Sequence, residues 1–239
     1  MSRWRLALPI LIAWGTGALA GCGSSAVDCD TILGAVAPPV PTEDPAFGYQ
    51  SVDYFQEIAF GTEYGSSGGV IHRWTDDVAI AVHGDPNDED LANLCQVLFD
   101  IDALVDTVEV SIVGSGQNVD LYYVPQSQFR GIEPNYVPGN LGFFYVWWDA
   151  TGSLTEAKVL IATDDVTQAE RNHLVREEVT QILGLMKDSY RYADSVFYQE
   201  WTEVQEYSDL DEDIIAILYL PAIVPGMTPD EALAVIPRP

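Results

Sequence analysis

One segment, residues 167–184, constrains the fold of this chain more than any other, because it specifies both ends of a long helix. Thr167 and Glu170 form the capping box Thr-x-x-Glu, in which each side chain accepts a hydrogen bond from the other residue's backbone N–H. Gly184 stands where a glycine in the left-handed conformation commonly ends a helix. We therefore predict a helix over residues 168–183, and a positive φ at Gly184 that lets the chain reverse beneath it.

The apolar residues before this helix indicate a strand, a helix and then several strands. Leucine and isoleucine recur at helical spacing between residues 90 and 104, and apolar and polar residues alternate at residues 108–112. The short turn at residues 114–118 then predicts a hairpin with the strand that follows it. The strands predicted in this part of the chain cover residues 78–82, 108–112, 119–124, 143–148 and 157–162.

Shorter helices are predicted after the long one. The first covers residues 210–219, and the last opens at Thr228 with Pro229 in its first turn. This order of elements is typical of an α+β fold. We predict a mixed, mostly antiparallel sheet with one parallel pair from the first strand–helix–strand crossover, a central helix at residues 168–183, and a small C-terminal helical subdomain.

The N-terminus has the three-part layout of a secretory signal. Arg3 and Arg5 precede an apolar run over residues 6–14, which is too short to span a bilayer as a stable helix. The sequence Leu-Ala-Gly-Cys, ending at Cys22, then looks like a bacterial lipobox. This resemblance implies that lipid on Cys22 holds the protein at a membrane of the cell envelope, the outer membrane if the cell is Gram-negative. The alternative is an ordinary signal peptide that contains a cysteine.

Composition divides the chain into a signal, a tether and one domain. Residues 1–21 are the signal, and proline-rich residues 22–47 are predicted to be a flexible tether that buries little. Residues 48–239 are long enough for one hydrophobic core. After removal of the signal, 37 acidic and 8 basic residues give a charge of −29, which excludes broad electrostatic binding to nucleic acid. The other cysteines, Cys29 and Cys95, either form a disulfide in an oxidising compartment or stay unpaired.

The long helix also carries a spacing that points to metal chemistry. Residues 177–185 read Glu-Glu-x-x-Gln-x-x-Gly-Leu, which resembles the zinc-binding helix of the metzincin metallopeptidases, His-Glu-x-x-His-x-x-Gly-Leu. In that helix the two histidines hold zinc and the glutamate polarises the attacking water. Residue by residue, Glu177 and Gln181 occupy the histidine positions, Glu178 the catalytic position, and Lys187 the position of the third metal ligand.

Two downstream segments extend the resemblance, and Gly184 matches the glycine of the family directly. The segment Ser195-Val196-Phe197-Tyr198 is similar to the Ser-Val-Met-Tyr of a metzincin Met-turn, and residues 210–219 look like the helix that closes such domains. The chain looks most like a bacterial family of secreted domains of unknown function that is regarded as metzincin-related. The resemblance implies a metzincin-like, or zincin-like, fold over about residues 75–220.

The substitutions at the metal positions imply that the zinc site is lost. Glutamine is a poor zinc ligand, and a lysine places a cation where the metal would bind. We expect no cofactor, and a pseudo-enzyme whose cleft binds a polypeptide or an envelope ligand. We also expect the Lys187 ammonium to lie near Glu177 and Gln181 in place of zinc; the alternative is that the lysine extends into water.

Two other functions are open from the sequence. One is an active metallopeptidase with an unusual divalent metal, in which Glu178 would be catalytic. His173 and Glu177, one helical turn apart, would then hold the ion. The other is a structural lipoprotein without a cleft ligand.

Overall fold

The computed structural model describes residues 27–34, 46–62 and 68–239. The predicted signal, Cys22 and most of the predicted tether lie outside these residues. No helix within the described ranges is long and apolar enough to cross a membrane. The elements, in chain order, are α1 Cys29–Leu33, α2 Tyr49–Ala59, β1 Val78–Gly84, α3 Asp88–Asp102, β2 Val110–Ile112, β3 Val119–Val124, α4 Phe129–Ile132, β4 Gly142–Trp148, β5 Leu154–Ala162, α5 Gln168–Gln181, α6 Asp209–Leu218 and α7 Pro229–Val235.

The predicted α+β class is confirmed, but the sheet is mostly parallel, which corrects the prediction of a mostly antiparallel sheet. Its strand order is β2-β1-β3-β5-β4. β1 pairs in parallel with β2 and β3, and β3 pairs in parallel with β5, whereas β4 pairs antiparallel with β5. The first crossover, through α3, makes the parallel pair that the sequence predicted. The connection from β3 to β5 is also long, so these neighbouring strands run in the same direction.

The predicted hairpin of residues 108–112 and 119–124 is wrong. β2 and β3 lie on opposite sides of β1 and run in the same direction. Ile80 of β1 pairs with the last residue of β2 on one side and with the first residue of β3 on the other. The loop between β2 and β3 therefore crosses from one side of β1 to the other, and the chain keeps its direction. The N–H groups of Val113 and Asn118 donate to carbonyls of β1 and hold this loop in place.

Helix α5 packs against α3, β4 and β5 and lies in the centre of the fold. The predicted capping box of Thr167 and Glu170 is present, with both reciprocal hydrogen bonds. Val175 and Val179 are fully or almost fully buried in the core. The helix ends at Gln181, two residues before the predicted end.

The C-terminal part returns to the beginning of the domain. The helix predicted at residues 210–219 is present as α6, and it packs against α2. The Phe47 N–H also donates to the Pro237 carbonyl at 3.0 Å. Residues near both ends of the domain therefore meet on the side of the fold that α2 and α6 form.

A disulfide attaches the short helix α1 to the domain. It joins Cys29 to Cys95 of α3, with the two Cα atoms 5.3 Å apart. Helix α1 lies within the segment that the sequence predicted to be a tether. A part of that segment is therefore helical and covalently linked to the core.

Candidate functional site

A cleft of about 580 Å³ lies between strand β4 and helix α5. β4 forms one wall, α5 forms the floor, and the irregular chain over residues 186–201 forms the opposite wall. The polar side chains that line the cleft are Thr62, Asn135, Asn140, His173, Glu177, Glu178, Gln181, Asp188, Gln199 and Glu200. The aromatic side chains that line it are Phe143, Phe144, Tyr145, Trp148, Tyr198 and Trp201.

Glu178 lies on the floor of the cleft, and only 6% of its surface is exposed. Gly142 of β4 lies directly against it, because a Cβ at residue 142 would overlap the Glu178 Oε1 atom. The same Cβ would lie 2.9 Å from a methyl group of Leu174. The glycine therefore leaves the space between the strand and the helix that the carboxylate occupies.

Gln181 is held by the carboxylate of Asp188, which no sequence pattern singles out. Its Nε2 atom donates to Asp188 Oδ1 at 2.6 Å, and Gln199 Nε2 donates to Asp188 Oδ2 at 3.4 Å. Gln181 and Asp188 are both buried. A hydrogen-bonded pair, the Gln181 amide and the Asp188 carboxylate, therefore occupies this part of the floor.

His173 and Glu177 contact each other one turn apart on α5. Nε2 of the histidine lies 3.3 Å from Glu177 Oε2, and Nδ1 lies 2.7 Å from the Val204 carbonyl oxygen. Because both neighbours are acceptors, the arrangement favours a ring with a proton on each nitrogen. Burial alone would lower the pKa of His173, but the Glu177 carboxylate, the Val204 carbonyl and the charge of Glu203 together raise it above its ordinary value.

The prediction that Lys187 replaces zinc is wrong. Its Nζ atom lies outside the cleft, 3.8 Å from Glu57 Oε1 of α2, and its side chain is 40% exposed. Asp188, the next residue, instead contacts Gln181 on the floor. Neighbouring residues of this non-helical stretch point to different sides, so the contact of Asp188 with α5 directs Lys187 outward.

Gly184 reverses the chain after α5, as the sequence predicted. Its φ is +120°, and its N–H donates to the Gln181 carbonyl at 3.0 Å. A side chain here would be strained and would overlap the His72 carbonyl oxygen. This turn brings residues 186–201 back along the cleft.

Asp211 of α6 holds the segment that resembles a Met-turn. The Ser195 hydroxyl donates to Asp211 Oδ1 at 2.5 Å, and the Val196 N–H donates to Asp211 Oδ2 at 3.1 Å. Burial raises the pKa of Asp211 even though these hydrogen bonds oppose the shift. Phe197 is fully buried, whereas Tyr198 lines the cleft. The two downstream segments of the resemblance are therefore packed together.

The side chains at the three ligand positions do not fit a zinc ion. Zinc requires several nitrogen, sulfur or carboxylate donors directed at one centre. Glu177 contacts His173, Gln181 contacts Asp188, and Lys187 lies outside the cleft. Across residues 27–34, 46–62 and 68–239, no group of three or more His, Cys, Asp or Glu is placed to hold a metal.

The wall that β4 forms, and most of the wall that follows α5, are not evident from the sequence. Gly142, at the start of an aromatic strand, is the one local signal of a close approach. Trp201 is 57% exposed at the cleft, and its Nε1 donates to Glu170 Oε1 at 3.1 Å. From the sequence alone, neither Gly142 nor Trp201 indicates which elements face each other across the cleft.

Comparisons with known proteins place most of the chain in one family. Residues 49–238 match the profile of a family described as "Protein of unknown function (DUF2927)". No curated protein matches the chain. Two solved structures of myroilysin are similar to it at 10% identity, with TM-scores of 0.42 and 0.45; they cover 77% and 76% of this chain and 100% and 99% of those chains. An assignment of function therefore depends on the geometry of the cleft.

Proposed function

The chain belongs to the DUF2927 family of proteins of unknown function, and from this premise we propose that it is a binding protein whose cleft holds an extended polypeptide segment. In this proposal the domain is a zincin-like pseudo-enzyme, which binds the polypeptide along β4 and does not cleave it. The protein is exported and is held in the cell envelope by lipid on Cys22.

The observation that carries this proposal is the position of β4 at the edge of the sheet. Within the described residues no other strand pairs with its outer side, which borders the cleft. The Leu141 carbonyl accepts a hydrogen bond from the Ala162 N–H, so in the antiparallel register Phe143 and Tyr145 also bond to β5. The backbone groups that point away from β5 belong to Gly142, Phe144 and Val146. Of these residues Phe144 is partly exposed, and in this proposal an added strand pairs with its backbone.

The opposite wall offers side-chain contacts to such a strand. Tyr198 and Trp201 line the cleft, and Trp201 is more than half exposed. Exposed aromatic residues beside a cleft often contribute a large share of binding energy. The volume of the cleft also lies in the range of ligand sites in proteins, about 300–1,000 Å³.

The residues at the positions of the metal ligands support the proposal that the cleft binds a polypeptide without cleaving it. Glu178 occupies the position of the metzincin glutamate, but that role needs a water activated by a metal. Glu177 and Gln181 are engaged with His173 and Asp188, and Lys187 extends toward α2. The floor therefore offers carboxylates and amides to a ligand.

N-methylated peptides provide a direct test of strand addition. In a strand added to β4, alternate peptide N–H groups face β4 and the others face away. A binding peptide selected from a library of extended sequences is methylated on one alternate set of nitrogens or on the other. We expect one set to weaken binding about tenfold or more and the other to have little effect. Equal effects of both sets would contradict strand addition, and a lack of any binding peptide would favour the structural lipoprotein.

The active metallopeptidase is tested on the same purified chain with zinc, manganese and calcium. After exposure to each ion and dialysis, elemental analysis measures bound metal, and an unfolded protein substrate measures cleavage. We expect neither stoichiometric metal nor cleavage. Stoichiometric metal that is lost in His173→Gln, with cleavage that is lost in Glu178→Gln, would overturn the pseudo-enzyme.

Lipidation is tested separately in cells. Labelled fatty acid is expected to enter the wild-type protein but not Cys22→Ser, and the variant is expected to leave the membrane fraction. Equal labelling of both proteins would overturn the lipid anchor, without any consequence for the cleft.

A further inference from the structure

We propose that the disulfide between Cys29 and Cys95 sets which side of the domain faces the membrane: the edge of the sheet at β2 lies toward the lipid, and the cleft beside β4 opens away from it. The inference rests on the proposed function, because it needs the lipid on Cys22. It goes beyond that function by stating where the bound polypeptide comes from, which is the space beyond the membrane surface.

Helix α1 is attached at the edge of the sheet that lies opposite the cleft. Cys29 of α1 is bonded to Cys95 of α3, and the space beside this bond is bordered by α1, α3 and β2. β2 and β4 are the outermost strands of the sheet, and the cleft borders β4. Because neighbouring strands are about 4.8 Å apart, about 19 Å of sheet separates the two edges.

The disulfide is what keeps α1 at this edge. The helix is well formed, because the Asp28 side chain accepts from the Thr31 N–H at 3.2 Å and Gly34 follows the helix with a φ of +85°. All five residues of α1 lie in the described part of the chain, and none of them is buried. A space of about 290 Å³ remains between α1, α3 and β2. A helix this short, which buries so little apolar surface, does not stay docked by itself, so the covalent bond fixes its position.

The bond also shortens the connection between the domain and the lipid. Cys29 is seven residues beyond Cys22, and a fully extended chain of that length spans at most about 25 Å. Without the bond, the chain enters the domain at Phe47, whose N–H donates to the Pro237 carbonyl on the side that α2 and α6 form. Phe47 is 25 residues beyond Cys22, which permits a span of about 90 Å. The disulfide therefore determines both the reach of the domain and the side that is attached.

The short connection places the cleft on the far side of the domain. A connection of about 25 Å is only slightly longer than the sheet is wide, so it keeps the attached edge nearer to the lipid than the cleft. The charge of −29 that remains without the signal repels anionic headgroups, but this repulsion extends only about 8 Å at physiological ionic strength. An exported chain meets an oxidising compartment, in which the disulfide persists. The cleft is therefore open to polypeptides beyond the membrane surface.

Energy transfer from the domain to acceptor lipids measures this orientation. The purified lipidated protein is reconstituted into phosphatidylcholine vesicles that contain an acceptor-labelled lipid. A donor dye is attached to an azide-bearing amino acid, which leaves the cysteines unchanged. It replaces Gln96, beside Cys95, or Glu200, on a wall of the cleft, and both of these residues are exposed. We expect greater transfer from residue 96 than from residue 200.

Two matched insertions test whether the short connection causes the difference. A glycine and serine segment of about 15 residues, which adds up to about 50 Å of span, is inserted after Ser25 or after Val40. The first insertion lies between Cys22 and Cys29 and is expected to remove the difference in transfer. The second lies between Cys29 and Phe47, inside the loop that the disulfide closes, and is expected to keep it.

The double variant Cys29→Ser/Cys95→Ser tests the bond itself. We expect it to lose the difference in transfer between residues 96 and 200, because the domain is then attached through Phe47. Thermal melts check the folding of each variant. If the double variant does not fold, the two insertions, which keep both cysteines, give the decision.

The outcomes separate this inference from the proposed function. Equal transfer from residues 96 and 200 in the lipidated wild type, or equal effects of the two insertions, would overturn the orientation and leave the lipid anchor and the polypeptide cleft in place. A folded double variant that keeps the difference would show that the disulfide does not set the orientation. Absence of lipid from the purified protein would overturn the anchor and this inference together, without any consequence for the cleft.

Discussion

Gly142 of β4 and Glu178 of α5 lie so close together that a side chain at residue 142 would occupy the place of the Glu178 carboxylate. The φ of Gly142 is not positive, so its backbone conformation does not require glycine. Glycine leaves room here for the ends of the Glu178 and Leu174 side chains of α5, which lie against the strand. This contact places the carboxylate at the floor of the cleft.

Gly142→Ala is therefore expected to displace Glu178 and to weaken the binding of the peptide selected for strand addition to β4. Overpacking of this kind costs about 1–3 kcal/mol of unfolding free energy. Urea unfolding and peptide anisotropy measure the two effects. Gly131→Ala is the matched control, because an added Cβ at this exposed residue of α4 meets no atom within 4 Å. Equal stability and binding of the two variants would contradict the close approach.

The contact between His173 and Glu177 predicts a pH-dependent contribution to stability. The folded-state pKa of His173 is raised, so the contribution is fully present below the unfolded pKa of about 6.5 and is lost as pH rises through the folded pKa. Glu177→Gln removes the charge that raises this pKa. We expect the variant to lose about 1 kcal/mol of unfolding free energy near pH 5.5 and little near pH 9.

Thermal melts of Glu177→Gln and Glu156→Gln across that pH range provide the measurement and its control. Glu156 is exposed, so its loss should have no pH-dependent effect of this sign. If Glu177→Gln loses the same unfolding free energy near pH 5.5 and near pH 9, the contact acts without the charge of His173.

The features of this chain that the sequence predicts well are local. The capping box of Thr167 and Glu170 and the reversal at Gly184 depend on neighbouring residues, and the structure confirms both. The direction of β3 depends instead on its pairing with β1, a strand that lies far away in the sequence and has β2 on its other side. No local pattern indicates that pairing, so a short loop between two strands predicts a hairpin.

The candidate site shows the same division between local and distant information. The spacing of the motif places Glu177, Glu178 and Gln181 on one helix, and all three line the cleft. The same alignment assigns Lys187 to the cleft, but the side chain that turns inward is Asp188. Which of two neighbouring residues faces a helix depends on the path of the returning chain. The role of β4 as a wall likewise depends on the sheet order, which only the structure provides.

The disulfide between Cys29 and Cys95 is expected to stabilise the domain. The two residues are 66 positions apart, and closing a loop of that length limits the unfolded chain. Reduction, or Cys29→Ser, is expected to lower the unfolding free energy by about 2–4 kcal/mol. Urea unfolding with and without reductant measures this loss. The control is Cys29→Ser itself, in which reductant should have no further effect; a wild type unaffected by reductant would contradict the prediction.

Asp102, at the end of α3, is expected to make the domain less stable at neutral pH than in mild acid. Burial, with a smaller contribution from the charge of Glu109, raises the pKa of Asp102 to about 6, although the Val110 N–H donates to the carboxylate and opposes the shift. The folded state therefore holds the proton more tightly than the unfolded state, so stability falls as pH rises from about 4 to about 6.

Asp102→Asn keeps an oxygen that accepts from Val110 and removes the charge. We expect the variant to be more stable than the wild type by about 1 kcal/mol near pH 8, after allowance for solvent screening, and nearly equal near pH 4. Urea unfolding at both pH values measures the difference, with Asp85→Asn, at an exposed residue after β1, as the control. A variant that is less stable than the wild type near pH 8 would show that the carboxylate stabilises the end of α3 in its charged form.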